Sequence, residues 1–420
     1  MRGWFVLLSL LASGPAPRAQ ERVRLTMDEA LALLRRQNPE VLSAALQVRA
    51  AHGDVTTARL YPNPTLSGAA GDFAIGPTNP HGLSVGQTVV GEVGLEQEIL
   101  LWGKRSKRIA TASAREAAAE AARADLDRTL SFTLRSRFTD VLITSERLAL
   151  AQENLAHYRE TVRVSEARAR TGEISPADLD KIMLEQRTFE REVADAEVDR
   201  RQAVAELLPL VGLDAVDVEA AGDLAVPPVP DDAARLTGDA LARRPDLRAA
   251  ERAVEAADAA LALARAEAWP NVTLGVEYTH SQHTIAGDLA DQVGGTMSVP
   301  LPVFDRNQGD IERAEAEALI ARHEVAKLRL EIPQEIRSAL GAYAVARDRV
   351  RRFEEAFLRE ASEARQAAEV SYREGASSLL EFLEAERAYV GTQRDHLDAL
   401  HDAQIAAWDV TRSAALEGSP

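Results

Sequence analysis

Two rhythms of apolar and polar positions run along the chain. The first has a period of two, which predicts strands with one apolar and one polar face. Val93, Leu95 and Ile99 alternate with Glu92, Glu96 and Glu98. Val272, Leu274, Val276 and Tyr278 alternate with Asn271, Thr273, Gly275 and Glu277, and Val293, Met297, Val299 and Leu301 with Thr296 and Ser298. A Gly/Ala-rich segment from Thr65 to Phe73 adds a fourth candidate, so strands are expected at about 64–74, 89–101, 271–280 and 292–302. This alternation fits the wall of a membrane barrel, and equally a half-buried sheet on a soluble core.

The second rhythm has a period of seven. Leu134, Val141, Leu148, Leu155 and Val162 are spaced as the seam of a coiled coil. They lie in a run from Lys104 to Arg170 without proline, 67 residues or about 100 Å as one helix. Adding 202 to each seam position gives Ile336, Tyr343, Val350, Phe357 and Ala364, inside a second run from Arg306 to Tyr372. A compact globular domain has no use for helices of this length, so the pattern predicts two long helical hairpins.

The rhythms repeat because the chain does. Pro39 matches Pro245 at an offset of 206, and Pro62-Asn63 matches Pro270-Asn271 at 208. Trp102 before Gly-Lys-Arg matches Phe304 before Asp-Arg-Asn at 202, and Gly172 matches Gly375 at 203. A period near 200 predicts an internal duplication. Each copy has a short helix, a proline, a second helix, two strands and a long hairpin with a glycine at its tip. Thr26 followed three residues later by Glu29 reads as a capping box at the start of the first helix. The expected boundaries are a signal peptide at 1–19, a first repeat at 20–206 with its tip near 172, a linker at 207–232 carrying four prolines, and a second repeat at 233–416 with its tip near 375.

Composition narrows the functions. The chain has a net charge of −17, which argues against nucleic acid as a partner. The absence of cysteine excludes disulfides, thiolate metal sites, cysteine nucleophiles and a lipidated N-terminus. Arg2 before the apolar core Trp4–Ala12 reads as a secretory signal, with a buried N-terminal strand as the alternative. Serine-hydrolase, phosphate-binding, dinucleotide and zinc-protease motifs are all missing. The acidic residues sit at helical spacing on polar faces, so no enzyme, cofactor or metal centre is expected. His280 and His283 are spaced to hold a divalent cation or simply to line a polar loop, and His396 and His401 do not share a helix face.

Leu25-Thr-Met-Asp-Glu-Ala-Leu, Ala58-Arg-Leu-Tyr-Pro-Asn-Pro, Leu95-Glu-Gln-Glu-Ile-Leu-Leu-Trp-Gly-Lys-Arg and the two tip glycines occur in order and in duplicate. As an ordered set they resemble the TolC-like outer-membrane efflux family over nearly the whole chain. The Gly-Lys-Arg after the strand is similar to its heavy-metal (cobalt-zinc-cadmium type) branch. The resemblance implies a mainly α fold with a small transmembrane β-barrel: a homotrimer in which each protomer gives four strands to a shared 12-strand barrel and its hairpins to a periplasmic α-helical coiled-coil barrel. Closure across protomers is also required physically, because a four-strand sheet has bare edges in lipid.

The same resemblance implies roles for particular residues. The tips close the tunnel, with Asp178, Glu381 and Glu384 as acidic gate residues and Tyr372 tied to Asp178 of the neighbouring hairpin. The basic partner the family places two past the glycine is Ser377 here. The tip turns at Gly172 and Gly375, with Leu179, Leu379 and Leu380, would dock a periplasmic adaptor (membrane fusion) protein. Lys104 and Arg105 would meet outer-membrane lipid headgroups, or form a solvated first helical turn. An inner-membrane pump of the resistance-nodulation-division type completes the expected system. The expected function is a passive export duct for metal cations or small toxic compounds. A periplasmic coiled-coil scaffold and a protein-secretion channel are the alternatives.

Overall fold

The structure, a computed structural model, describes residues 22–73, 75–77, 81–214, 216–281 and 290–416. The expected signal peptide and His283 lie outside them. The described residues form two compact units, one within 22–42, 127–238 and 334–416, the other within 43–126 and 239–333.

The chain opens with β1 (Arg22–Thr26), α1 (Met27–Gln37) and α2 (Pro39–Arg59). Thr26 caps α1 as its sequence demands: Glu29 N–H donates to the threonine hydroxyl at 3.3 Å, and Thr26 N–H donates to the Glu29 carboxylate at 2.9 Å. Pro39 cannot extend a helix from within and instead starts α2. Asn38 caps that start, its carbonyl oxygen accepting from Glu40 N–H at 2.8 Å and Val41 N–H at 3.2 Å. In the second repeat α6 (Ala233–Arg243) and α7 (Pro245–Glu267) repeat the arrangement. There Arg244 replaces the asparagine, buried at 2% exposure and forked onto Asp246 at 3.0 and 2.5 Å.

Strands β2 (Thr65–Gly71), β3 (Val90–Ile99, preceded by the one-turn helix α3, Val85–Thr88), β5 (Val272–Ser281) and β6 (Asp291–Ser298) make one antiparallel sheet in the order β2-β3-β5-β6. The strand expected to reach residue 302 stops at Ser298, because Pro300 and Pro302 have no N–H for a ladder. A second, two-stranded parallel sheet was not expected: β1 pairs with β4 (Asp217–Ala221), Arg22 opposite Asp217 through Thr26 opposite Ala221. The segment read as a linker at 207–232 therefore holds a strand, and its first residues belong to helix α5 (Pro176–Val211), which contains Pro209.

The first hairpin is α4 (Lys104–Arg170, 67 residues) and α5 (Pro176–Val211). Leu134, Val141, Leu155 and Val162 of its seam are buried, while Leu148 is only half-buried. The second hairpin is α8 (Gln308–Arg352), a π-helix (Phe353–Phe357), α9 (Leu358–Arg373) and α10 (Leu379–Ser413). Ile336, Tyr343 and Val350 are buried as expected, but Phe357 is 46% exposed and Ala364 also faces solvent. The reason is the π-helix. It accommodates one residue more than an α-helical turn, so below it the seam moves one position on, to Leu358, Arg365 and Tyr372, all half-buried.

Candidate functional site

Two regions carry functional features, one in each unit. In the sheet, the register sorts side chains onto two faces. Leu66, Leu95 and Val276 align across three strands, as do Gly68, Val93, Tyr278 and Val293 across four, and Gln97, Leu274 and Met297 across three. Val93, Leu95, Val276 and Val293 are each more than half exposed, so this apolar face is left uncovered by the described residues. On the opposite face Glu92, Glu96, Glu98 and Glu277 stand among threonine, serine, glutamine and glycine, with no lysine or arginine on any of the four strands. The outer edges of β2 and β6 pair with no other strand among the described residues.

The four junctions between strands and helices at one end of this sheet each carry an exposed aromatic residue: Tyr61 before β2, Trp102 after β3, Trp269 before β5 and Phe304 after β6. Trp102 and Trp269 pack at 5.0 Å between ring centroids, and the Trp102 indole N–H donates to Pro270 O at 3.1 Å. Aromatic residues so placed are the mark of a membrane–water interface. Trp102 and Phe304 entered the sequence reading only as repeat landmarks, and Tyr61 and Trp269 not as a recurring pair, although an aromatic residue at every junction was visible. Lys104, expected at the headgroups, is instead 4% exposed, and its ammonium donates to Trp269 O at 2.5 Å. Arg105 donates to Arg59 O at 3.0 and 2.7 Å and lies 4.4 Å above the Tyr61 ring. Both cations are tied to the junction backbone, so the aromatics rather than Lys104 face outward there.

At the hairpin tips, Gly172 and Gly375 take positive φ, +79° and +74°, where a side chain would be strained. Each turn closes by carbonyls reached from beyond the glycine: Glu173 N–H donates to Arg168 O at 2.9 Å, and Ala376 N–H to Ser371 O at 2.8 Å. The next helix starts at a serine cap in both. Asp178 N–H donates to Ser175 Oγ at 3.1 Å, and that hydroxyl donates to the Asp178 carboxylate at 2.9 Å. Glu381 N–H donates to Ser378 Oγ at 3.3 Å, and its carboxylate accepts from Ser378 N–H at 3.1 Å. Asp178 and Glu381 are thus equivalent capping residues, and the Ser175 and Lys181 hydrogen bonds hold the Asp178 carboxyl below its usual range. Glu384, one turn on, is exposed and forms no hydrogen bond or ion pair among the described residues.

Behind the turns the two hairpins share one core: Leu155, Tyr158, Val162, Ile182, Phe189, Phe382, Leu383 and Val390, with Tyr372, Leu379 and Ile174 against it. Tyr372 stacks on Phe382 at 5.2 Å, and the Arg168 guanidinium lies 5.6 Å over the tyrosine ring. No hydrogen bond joins Tyr372 to Asp178 of the same chain. Leu379 belongs to the core, Leu179 is half-buried and Leu380 is 61% exposed.

Buried charge locks this core. Arg387 forks onto Glu185 at 2.7 and 2.5 Å, joining α10 to α5. Glu386 is 8% exposed, and burial raises its carboxyl against the opposing pull of Arg365, 3.9 Å away. Burial, with Glu185 and Glu386 alongside, pushes the Tyr158 phenol well up, and its buried hydroxyl makes no hydrogen bond. Higher on the hairpins His401 of α10 bonds Asp140 of α4 at 2.7 Å. No group of three or more candidate metal ligands occurs among the described residues, and none of the described helices is long and apolar enough to cross a membrane.

Comparison with known proteins accounts for this combination of parts. The outer membrane efflux protein family matches residues 30–213 and again 236–415. The chain is similar to the cobalt-zinc-cadmium resistance protein CzcC of Cupriavidus metallidurans, 27% identical over 92% of this chain and 89% of the relative. It is also similar to the pyoverdine export outer membrane protein OpmQ of Pseudomonas putida, 30% identical over 74% of this chain and 66% of the relative. A crystal structure of CusC shares the fold, with a TM-score of 0.77 at 19% identity, over 96% of this chain and 95% of CusC. Family and relatives are channels rather than enzymes, and this chain belongs to the outer membrane efflux protein family, as an outer-membrane channel that extends into the periplasm.

Proposed function

We propose that three copies of this chain form one export duct for metal cations. The observation that carries the reading is the four-stranded sheet with an apolar exposed face, an acidic face and two unpaired edges. Bare edges are not tolerated in hydrocarbon, so the sheet must close, and three sheets of four strands make a closed 12-strand barrel. The apolar face then meets lipid and the glutamates face the water-filled lumen. A lumen of one sign concentrates cations. The similarity to a protein named for cobalt, zinc and cadmium resistance supports metal as cargo; the similarity to a pyoverdine exporter supports a small organic molecule as the second reading.

The helical hairpins would form the periplasmic tunnel, gated at the tips. Tyr372 and Asp178 would hold the closed state across neighbouring protomers, and Glu381 and Glu384 would form carboxylate rings there. Of these carboxylates, Glu384 is the one not engaged in capping. Gly172, Gly375, Leu179, Leu379 and Leu380 would dock the adaptor protein that links the duct to an inner-membrane pump of the resistance-nodulation-division type, with Leu380 the most exposed of the leucines. The repeats at 20–206 and 233–416 would act as equivalent arms of each protomer.

Light scattering of the detergent-purified protein should give three chains per particle, and planar bilayers should show cation over anion selectivity. Glu92→Gln, Glu96→Gln, Glu98→Gln and Glu277→Gln together should lower that selectivity severalfold. Anion selectivity in the wild type, or a monomeric particle, rejects the reading. Cells lacking the protein should lose tolerance to zinc, cobalt or cadmium; unchanged tolerance with lost export of a small organic molecule favours the second cargo.

A further inference from the structure

The second hairpin carries two seams, and the structure uses the less apolar one. From Val350 the plain heptad continues through Phe357, Ala364 and Ser371, a set led by an aromatic and an alanine. The register adopted passes one residue on, through Leu358, Arg365 and Tyr372. Phe357 is left 46% exposed. Arg365, a charged residue on a packed seam, is accommodated by the Tyr389 ring at 4.5 Å and by Glu386 at 3.9 Å. A sequence built for this register alone would place its apolar residue at 365 and its polar one at 357.

The device that separates the registers is the π-helix Phe353–Phe357, where Leu358 N–H reaches back to Phe353 O. It holds one surplus residue. The sequence counts the same surplus: Trp102 to Gly172 is 70 steps, whereas the matching Phe304 to Gly375 is 71. The first hairpin has no π-helix, and its Leu155 and Val162 stay buried on the uninterrupted heptad. Single π turns within α-helices occur often at functional sites.

We propose that the second hairpin is a two-register element whose surplus residue passes between the π-helix and the Gly375 turn. When it moves to the tip, Gln308–Arg373 becomes a continuous α-helix. The segment from Leu358 to Arg373 then rotates by about 100° and shifts by about 1.5 Å, one residue's worth of helix. Phe357 and Ala364 take the seam, and Ser371 arrives where Tyr372 stood. Tyr372 leaves its stack with Phe382 and its place beneath Arg168. The aromatic lock of the tip is present in one register and absent in the other, each register burying what the other exposes. Two packings with such offsetting contacts make a bistable switch. The mechanism rests on the reading of the tip as the gate.

Ala364 is exposed in the present register, so Ala364→Glu should leave thermal unfolding and particle size unchanged, and Phe357→Glu, which gives up an edge-to-face contact with Phe353 at 5.3 Å, should leave particle size unchanged with a small fall in unfolding temperature. Both bar the second register by placing a carboxylate on its seam. Deletion of Glu355 removes the surplus residue and fixes Tyr372 in its stack. In planar bilayers the wild type should visit a low and a high conductance level. The three variants should show the low level only, with time in the high level reduced at least tenfold. Because the chain has no cysteine, Phe357→Cys supplies a single thiol, which should react with a maleimide in the low state and be protected in the high state. Tyr372→Ala tests the gate itself and should raise the low level. If it does not, the tip reading falls. If it does, and the barred variants still reach the high level as often as the wild type, or the wild type shows one level, the two-register proposal alone falls.

Discussion

The two hairpins start from the same grammar and end in different helices. Down to Val141 in the first and Tyr343 in the second, the seam positions are buried in both at an offset of 202. At the tips the matches are Gly172 with Gly375 and Ser175 with Ser378, an offset of 203. Between them the first hairpin stays α-helical, and the second opens into five π-helical residues. A heptad read from sequence thus predicts contact only as far as the residue count is conserved. One insertion rotates everything beyond it, unless a wider turn absorbs it.

The sharpest way to break this comparison is to charge the part of the seam that both hairpins share. Val350→Glu buries a carboxylate beside Phe353, Ala399 and Ala403 with no cation designed for it. It should cost several kcal/mol and abolish purified oligomer, whereas Leu148→Glu, at a half-buried position, should be milder. Next come truncations below the π-helix. Leu155→Ala should cost about 2–5 kcal/mol, as for a buried leucine, and Phe357→Ala about 1 kcal/mol, for its edge-to-face contact with Phe353. Equal losses by thermal or denaturant unfolding would mean that the seams do not diverge. Gly172→Ala and Gly375→Ala should each cost about 1–2 kcal/mol and resemble each other, because both turns need the left-handed conformation.

The smallest effect concerns the tie between the hairpins at His401. Its imidazole is raised above the usual range by the hydrogen bond to Asp140, against desolvation. Arg137 and Arg147 of α4 and Asp402 of α10 are the other charged groups near the pair. A raised histidine stabilises the folded chain fully below its unfolded value and loses that contribution as pH rises through its folded value. Between about pH 6 and about pH 9 the melting temperature of the wild type should therefore fall further than that of His401→Gln. Parallel profiles would show that the pair contributes nothing.

Much of this architecture was legible in the residues. Period-two strands, the period-seven seam as far as the π-helix and the capping box at Thr26 are local rules, and each produced its element. What escaped depended on partners distant in sequence. Asp217–Ala221 lies among prolines and becomes a strand only because Arg22–Thr26 lies beside it. Lys104 reads as a surface cation, yet it turns inward because Trp269 O, 165 residues away, needs a donor. The acids beyond the tip glycines read as a gate, but Asp178 and Glu381 also obey the serine-to-N3 capping rule, the same rule recognised at Thr26 and Glu29. The surplus residue of the second hairpin was there to be counted between Phe304 and Gly375.

The bare edges of β2 and β6 also bear on inheritance. On the proposed closure by several copies, a protomer has no stable inserted state of its own and enters the bilayer only in company, so insertion and oligomerisation become one kinetic step of high order in concentration. Synthesis below a threshold should then yield almost no channel rather than proportionally less. In the proposed trimer, a copy able to join through one edge but not the other would act as a poison: mixed in equal amounts with intact copies, it would leave about one assembly in eight free of it. Lesions at either edge should therefore be genetically dominant, and lesions that unfold the chain recessive.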